Sequence, residues 1–529
     1  MPSNVRLARS AGAAGIATLA SRILGLARDQ VLAGLFGAGN DMDAFIVAFR
    51  VPNLVRDLFA EGAMSAAFVP TFTRHLTLHG KPDAWRLANN LLNALVMVTG
   101  VVVAFGMIFA PQIVGSYAAD FASVPGKLEL TVRLTRIVLP FLIMVAVAAA
   151  MMGMLNSLHH YFLPALSPAT FNVVTIVGAF VLVPLMRRLG QPPIMAIAVS
   201  AVVGGLAQVG TQWPSLWREG FRYRLAFDPR DAGLRQVLWL MGPGTLGLAA
   251  TQVNIFINTL LATSQGTGAV SWLTYAFRVM YLPIGLFGVS IATAVLPAVS
   301  QHAAVNDDDG IRETVSRGLS LMLMLNVPAT LGLIALATPI VRLLFEHGRF
   351  LSSDTAPTAA ALRLYAIGLV GYSTARITSP TFYALRRSRL PVAVSVCTIA
   401  ANIAFSLLLV RTSGFLGLAL ATSLAALANG GILLLLLRKR LRGINGAALT
   451  VSLFKVTTAA CVMALATLGI EYGSTAIVSG QSVAAQTLRL GLAIGGGLAT
   501  LAACAKLLRI REFAEAIALV RSRLSRAAG

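Results

Sequence analysis

The chain has 529 residues, 57% of them hydrophobic and 12% charged, with a mean hydropathy of +0.78. That length would suit three or four water-soluble domains, but this composition leaves too little polar surface to cover them. The formal net charge of +22 raises nucleic-acid binding. The basic residues argue against it, because most fall in short connections between apolar stretches and not on one polar face among aromatics.

The expected fold class is an all-α polytopic membrane protein. About 20 apolar residues cross a bilayer as a helix. About fourteen such stretches occur, at 11–36, 44–72, 87–117, 135–155, 164–185, 193–213 and 234–262, then at 272–299, 319–342, 364–385, 391–410, 415–437, 449–470 and 488–508. Arg6 and Arg9 before the first stretch resemble a signal peptide, but Arg22 and Arg28 follow without a cleavage site, so a retained helix is expected.

Basic connections give the orientation. Arg74, Lys81 and Arg86, the run from Arg218 to Arg235, Arg312 and Arg317, Arg386 to Arg389, and Arg438 to Arg442 fall on one side, with a basic C-terminal tail. The alternate connections at 37–43, 263–270 and 469–486 are nearly bare. Both termini are therefore expected in the cytoplasm.

Prolines recur at a nearly constant offset: Pro52 and Pro283, Pro70 and Pro297, Pro111 and Pro339, Pro164 and Pro391, followed by Asn172 and Asn402. The shifts of 227 to 231 residues suggest a parallel repeat of six spans. The expected organisation is an N-lobe over 1–217, a C-lobe over 218–443, and two further helices with a cytoplasmic tail over 444–529.

Charges inside the spans carry the functional argument. An ionised side chain at the bilayer centre costs about 2.5–3.5 kcal/mol on insertion scales. The first two spans nevertheless hold Arg22, Arg28, Asp29, Arg50, Arg56, Asp57 and Glu61, with Asp43 at an edge. Arg22 and Asp29 share a face at sevenfold spacing, as do Asp43, Arg50 and Asp57. Ser21, Gly25 and Arg28 line an adjoining face. Either such residues pair within their own helix or they line a wet cavity, and for Arg28 and Arg56 the cavity is favoured because neither has a partner four residues away. The later spans carry Arg278 and Arg376 with essentially no carboxylate. A cavity between two such halves is net cationic, and arginine's fork suits phosphate.

Other chemistry is thin. Cys397, Cys461 and Cys504 lie singly in apolar stretches. The six histidines are expected in loops without helical metal spacing, and no metal or other cofactor is expected. Asp307 to Asp309 could suggest a metal–diphosphate enzyme site, but reads as a solvated turn. No phosphate-binding glycine loop occurs.

The run SRILGLARD followed by DAFIVAFRVPNLVRDLFAEGAMSAAFVP strongly resembles the MurJ (MviN) family of lipid II flippases, within the multidrug/oligosaccharidyl-lipid/polysaccharide exporter superfamily. The likeness continues through Gly153 to Asn156, Phe162 to Ala165, Gly204 to Gln208, Ser271 to Arg278, Leu282 to Gly285 and Phe382 to Ala384, and covers essentially the whole chain. It implies fourteen helices in two lobes, with the last two forming a groove for a polyprenyl tail. It also implies a substrate-binding set of Arg22, Arg28, Asp29, Arg56 and Arg278, with Asp43 and Glu61 in support. Three positions depart from the family pattern. Arg376 stands where the family carries a cavity lysine, and Asn258 stands where some members place an aspartate of a sodium site. Phe277 replaces a polar residue before the cavity arginine.

The expectation is a flippase, not an enzyme. It carries lipid II outward by alternating access, with lipid II, membrane lipids and cell-wall synthesis proteins as partners. Arg28, Arg56 and Arg278 would hold the diphosphate while Arg22 and Asp29 orient them, and Asp43 and Glu61 would favour reclosing by pairing with freed arginines. The rival readings are a cation-coupled exporter of drugs or other polyprenyl-linked sugars, a polyprenyl-phosphate enzyme, and a non-transporting cell-wall scaffold.

Overall fold

Glycine or proline ends a helix at some interruptions of the apolar runs, such as Gly37 and Pro140, and not at others, such as Pro168. A computed structural model of the chain describes residues 2–57, 64–225, 227–478, 480, 482–510 and 512–513. Among the described residues every regular element is helical. Nine helical stretches there, with 127–157 taken as one, are long and apolar enough to cross a membrane, so this is a multi-pass membrane protein.

The chain divides into two compact units, Met1–Ser271 with His347–Phe350, and Trp272–Glu346 with Leu351–Gly529. In the first unit, α1 (Pro2–Phe36) turns into α2 (Asn40–Arg56) at Gly37. Gly37 has φ +65°, and an added Cβ would lie 2.4 Å from the Arg349 carbonyl oxygen. No other residue fits both the left-handed backbone and that approach. The short segment His347–Phe350 is anchored there, with the Arg349 amide donating to the Gly34 carbonyl at 2.8 Å.

A long helix, α3 (Met64–Ile108), covers the expected connection at 73–86 and bends at Gly80, φ +78°. Histidines expected in a loop are thereby placed on helix: His75 and His79 lie one turn apart on α3. Then follow α4 (Ala110–Tyr117), α5 (Lys127–Val138), α6 (Phe141–Ser157), α7 (Phe162–Arg188), α8 (Met195–Arg218) and α9 (Ala232–Thr263). The expected span at 135–155 lies inside one membrane-length stretch, Lys127–Ser157, whose helix is interrupted between α5 and α6 at Pro140, which cannot donate a helical hydrogen bond.

Burial of aromatic groups holds one end of this unit. Phe68, Phe72, Trp85 and Phe221 pack in series with tilted rings, 5.3–5.6 Å between centroids. The basic connection before α9 runs extended along α3, and three buried asparagines pair with its backbone. Asn89 donates to the Arg222 carbonyl and accepts from the Arg224 amide. Asn90 does the same with both groups of Asp228 at 2.8 Å. Asn93 donates to the Arg224 carbonyl and accepts from the Tyr223 hydroxyl. The extended backbone would otherwise leave these groups unpaired where it is covered.

In the second unit, α10 (Ala269–Pro283), which starts in the first, passes into a π turn over Ile284–Gly288 right after Pro283. The elements α11 (Val289–Ala304), α12 (Asp308–Ala335), α13 (Ala337–Phe345), α14 (Ser352–Ile367), α15 (Leu369–Ala384), α16 (Arg389–Ser413), α17 (Phe415–Arg440), α18 (Gly446–Ile477) and α19 (Val483–Leu507) follow. Packing within the units is similar: α7 lies on α8 and α6 on α8 in the first, α16 on α17 and α15 on α17 in the second. The α15–α17 crossing is close, since a Cβ at Gly371 would fall 2.3 Å from the Ala426 carbonyl oxygen. The acidic run is a helix start. Asp307 caps α12 by accepting from the Gly310 amide, while Asp309 pairs with Arg312.

Candidate functional site

The first cation sits on α1 and is held from two sides. Arg28 directs Nε and Nη2 to Oδ1 of Asp29, at 3.1 and 2.7 Å. Its guanidinium carbon lies 5.7 Å from the centroid of Phe171 on α7. The same stretch of α7 meets α1 at Asn172, whose amide donates to the Ser21 carbonyl at 3.1 Å. Arg22 is exposed on α1, whereas Asp29 is buried. Sevenfold spacing suggested Arg22 as the companion of Asp29, but the adjacent Arg28 fills that place.

The arrangement repeats at the end of α2. Arg56 directs Nε and Nη2 to Oδ1 of Asp57, at 2.9 and 2.7 Å. Gln252 on α9 donates to the other oxygen of Asp57 at 3.3 Å. In each dyad two guanidinium N–H groups go to the neighbouring carboxylate. Arg28 and Arg56 thus each have a partner at the next position, the pairing that the expectation ranked below a cavity lining because it looked only four residues away. Glu61 lies outside the described residues.

At the opposite end of α2, Asp43 is fully buried and has four partners. Lys127 Nζ stands 3.0 Å from Oδ2. The amides of Gly268 and Ser271 donate at 2.8 and 3.1 Å, and the Ser271 hydroxyl donates at 2.7 Å. The carboxylate thus caps the N-terminus of α10, where exposed N–H groups and the helix dipole favour an anion. Lys127 also lies 4.1 Å above the Phe121 ring. The expectation gave Asp43 an arginine partner, but the cation is Lys127.

In the second unit Arg278 is exposed on α10. Three residues on, Tyr281 stacks on Phe277 at 5.9 Å and accepts a hydrogen bond from Arg376 of α15. Phe277 therefore belongs to the aromatic support of this cluster. Asn258 is half-buried on α9. Sequence reasoning missed Lys127, Gln252 and Tyr281. Lys127 alone left a signal, as a lysine opening a long apolar run.

The model of the family described as "Lipid II flippase MurJ" matches residues 32–486. The chain belongs to this family. A lipid II flippase MurJ of Burkholderia cenocepacia is 34% identical over 427 residues, covering 80% of this chain and 82% of the relative. A probable MurJ of Bdellovibrio bacteriovorus is 32% identical and covers 94% of both chains. Among solved structures, a MurJ in an inward closed conformation superposes with a TM-score of 0.77 at 25% identity, covering 94% of this chain and 99% of its own. An inward-facing multidrug transporter of the MATE family, at 15% identity and a TM-score of 0.67 over 81% of this chain and 95% of its own, shares the fold. Membership in the MurJ family makes the chain a transporter and not an enzyme.

Proposed function

We propose that this chain carries lipid II from the cytoplasmic to the periplasmic leaflet of a bacterial inner membrane, by alternating access through a cavity lined with arginine. The observation that carries the reading is the Arg28–Asp29 and Arg56–Asp57 dyads within a membrane-spanning unit. A phosphate would meet guanidiniums already held in place by an adjacent carboxylate, which gives charge-assisted bonds without assembling a new cation. Arg278 and Arg376 supply further positive charge, and Arg22 draws the anion toward α1.

Asp43 serves as a latch whose partners hold the periplasmic end of α2, with both termini cytoplasmic. The polyprenyl tail stays in lipid against the C-terminal helices. A cavity of about 280 Å³ lined by Leu323, Val370, Leu427, Leu434, Leu449 and Leu453 supports this reading. The lobes 1–217 and 218–443, with 444–529 serving the tail, are part of the same proposal, as are contacts with cell-wall synthesis proteins.

The test is complementation of a flippase-depleted strain by Arg28→Ala, Arg56→Ala and Arg278→Ala, with membrane abundance measured. Loss of growth at normal abundance is expected. Survival of all three removes the anion site.

A further inference from the structure

The bend of α3 brings together three side chains that the transport reading does not use. His75 and His79 stand one helical turn apart, their rings 5.7 Å between centroids. Asp83 follows across Gly80, whose φ of +78° folds the second arm of α3 back toward them. Oδ2 of Asp83 lies 2.6 Å from His75 Nδ1 and 3.7 Å from His79 Nδ1. One ligand atom from each of the three lies within 4.8 Å of the others. Oδ1 of the same carboxylate accepts from Arg86 at 2.8 Å, which fixes the plane of the group and turns Oδ2 toward both imidazoles. On the far side, His75 Nε2 abuts the start of α9, 3.0 Å from where a Cβ on Gly233 would be.

We propose that His75, His79 and Asp83 form a binding site for one divalent d-block cation, best suited to Zn²⁺, at the bend of α3. Two imidazole nitrogens and one carboxylate oxygen are the donor set of an open tetrahedral zinc site, with water in the fourth position. Donors on a tetrahedral zinc lie roughly 3.3–3.5 Å from one another, given bonds of about 2.0–2.2 Å. Loading therefore asks for shifts of about an ångström, within reach of side-chain rotation. Magnesium and calcium require more oxygen ligands than the three groups offer. Arg86 plays the part of an outer partner that orients a ligating carboxylate. A bound ion would tie the two arms of α3 together across its one non-helical residue, beside the first turn of α9.

The test uses the full chain in detergent, purified through a tag without histidine, and ZnCl₂ as the probe. Calorimetric titration should give one equivalent bound, with affinity at least tenfold lower in His79→Ala and in Asp83→Asn. His79→Ala is the safe substitution, because that side chain is 60% exposed. His302, which pairs with Asp307 at 2.8 Å, is the control, and His302→Ala should leave the titration unchanged. Co²⁺ should show the strong visible absorption of a four-coordinate site in the wild type and lose it in His79→Ala. Absence of saturable binding overturns the site, and so does equal binding by the wild type and His79→Ala.

Discussion

The Lys127 ammonium stands 3.0 Å from Oδ2 of Asp43, and neither side chain is more than 2% exposed. Removing one member of such a pair strands a buried charge, at a cost of about 3–5 kcal/mol. Lys127→Met should therefore lower the thermal midpoint in detergent sharply. Adding Asp43→Asn should recover part of the loss, since the asparagine oxygen at the place of Oδ1 still accepts from the Ser271 amide and hydroxyl, while its NH2 faces the Gly268 amide. A double variant no more stable than the single one would show that the pair is not the source of the cost.

Arg28→Lys keeps the charge on α1 and discards the fork. A lysine point charge cannot hold Asp29 and a phosphate along two edges. Transport in reconstituted vesicles should fall at least tenfold at unchanged protein abundance. Wild-type transport by Arg28→Lys would mean that charge alone suffices.

Membrane potential should drive the proposed movement. A head group with about two negative charges gains on the order of 4–5 kcal/mol moving outward across 100 mV, at about 2.3 kcal/mol per charge. Flipping in vesicles should follow the imposed potential and ignore a sodium gradient. Full rates at zero potential with a strict need for sodium would contradict this.

At the end of α8, His160 and, next, Lys81 hold the Glu219 carboxyl below its ordinary value near 4.5. Both contacts are 2.9 Å. A depressed carboxyl stabilises the fold above its unfolded pKa and loses that contribution as pH falls through the folded value. Glu219→Gln should thus lower the thermal midpoint near pH 7, by about 1 kcal/mol or less at this half-exposed position. The gap between the two proteins should narrow progressively below about pH 4.5. A gap independent of pH would assign the effect to packing.

The asparagine contacts of α3 predict a protease phenotype. Asn89→Ala removes a donor and an acceptor from the covered connection, about 1–3 kcal/mol of local hold. Combined with Asn93→Ala it should speed trypsin cleavage after Arg222 and Arg224 several-fold, with cleavage elsewhere unchanged. Equal cleavage rates would mean that the buried Phe221 is enough to keep the segment down.

Much of this architecture could be read from the sequence because hydrophobic length and punctuation act locally. The end of the first helix at Phe36 follows from Gly37, and the start of α17 follows from Gly414. Mid-span prolines were less legible. Pro140 divides one expected span into α5 and α6, whereas Pro168 sits inside α7 without ending it. What decides is whether neighbouring helices re-satisfy the freed carbonyl. The connection before Leu87 misled because its polar residues looked like a loop, although Gly80 is the one non-helical point in α3.

At the site, the cations on α1 and α2 were legible from their cost in lipid, but their companions were not. Face-sharing at sevenfold spacing ignores the reach of an arginine, which lets Arg28 and Arg56 take adjacent carboxylates. Lys127 is 84 residues from Asp43, and no periodicity links them. Gln252 and Tyr281 reach Asp57 and Arg376 by hydrogen bonds that exist only because their helices pack together, so no local pattern marks them.

The two kinds of ion pair respond oppositely to motion. Asp29 is the next residue after Arg28, as Asp57 is after Arg56, so each couple rides on its helix like luggage and survives any tilt or slide. Asp43 and Lys127 belong to different helices, and a displacement of about 2 Å would sever them. Under the proposed transport an anion would meet guanidiniums whose acid partners travel with them, while the contact between Asp43 and Lys127 would report a change in the distance between two helices.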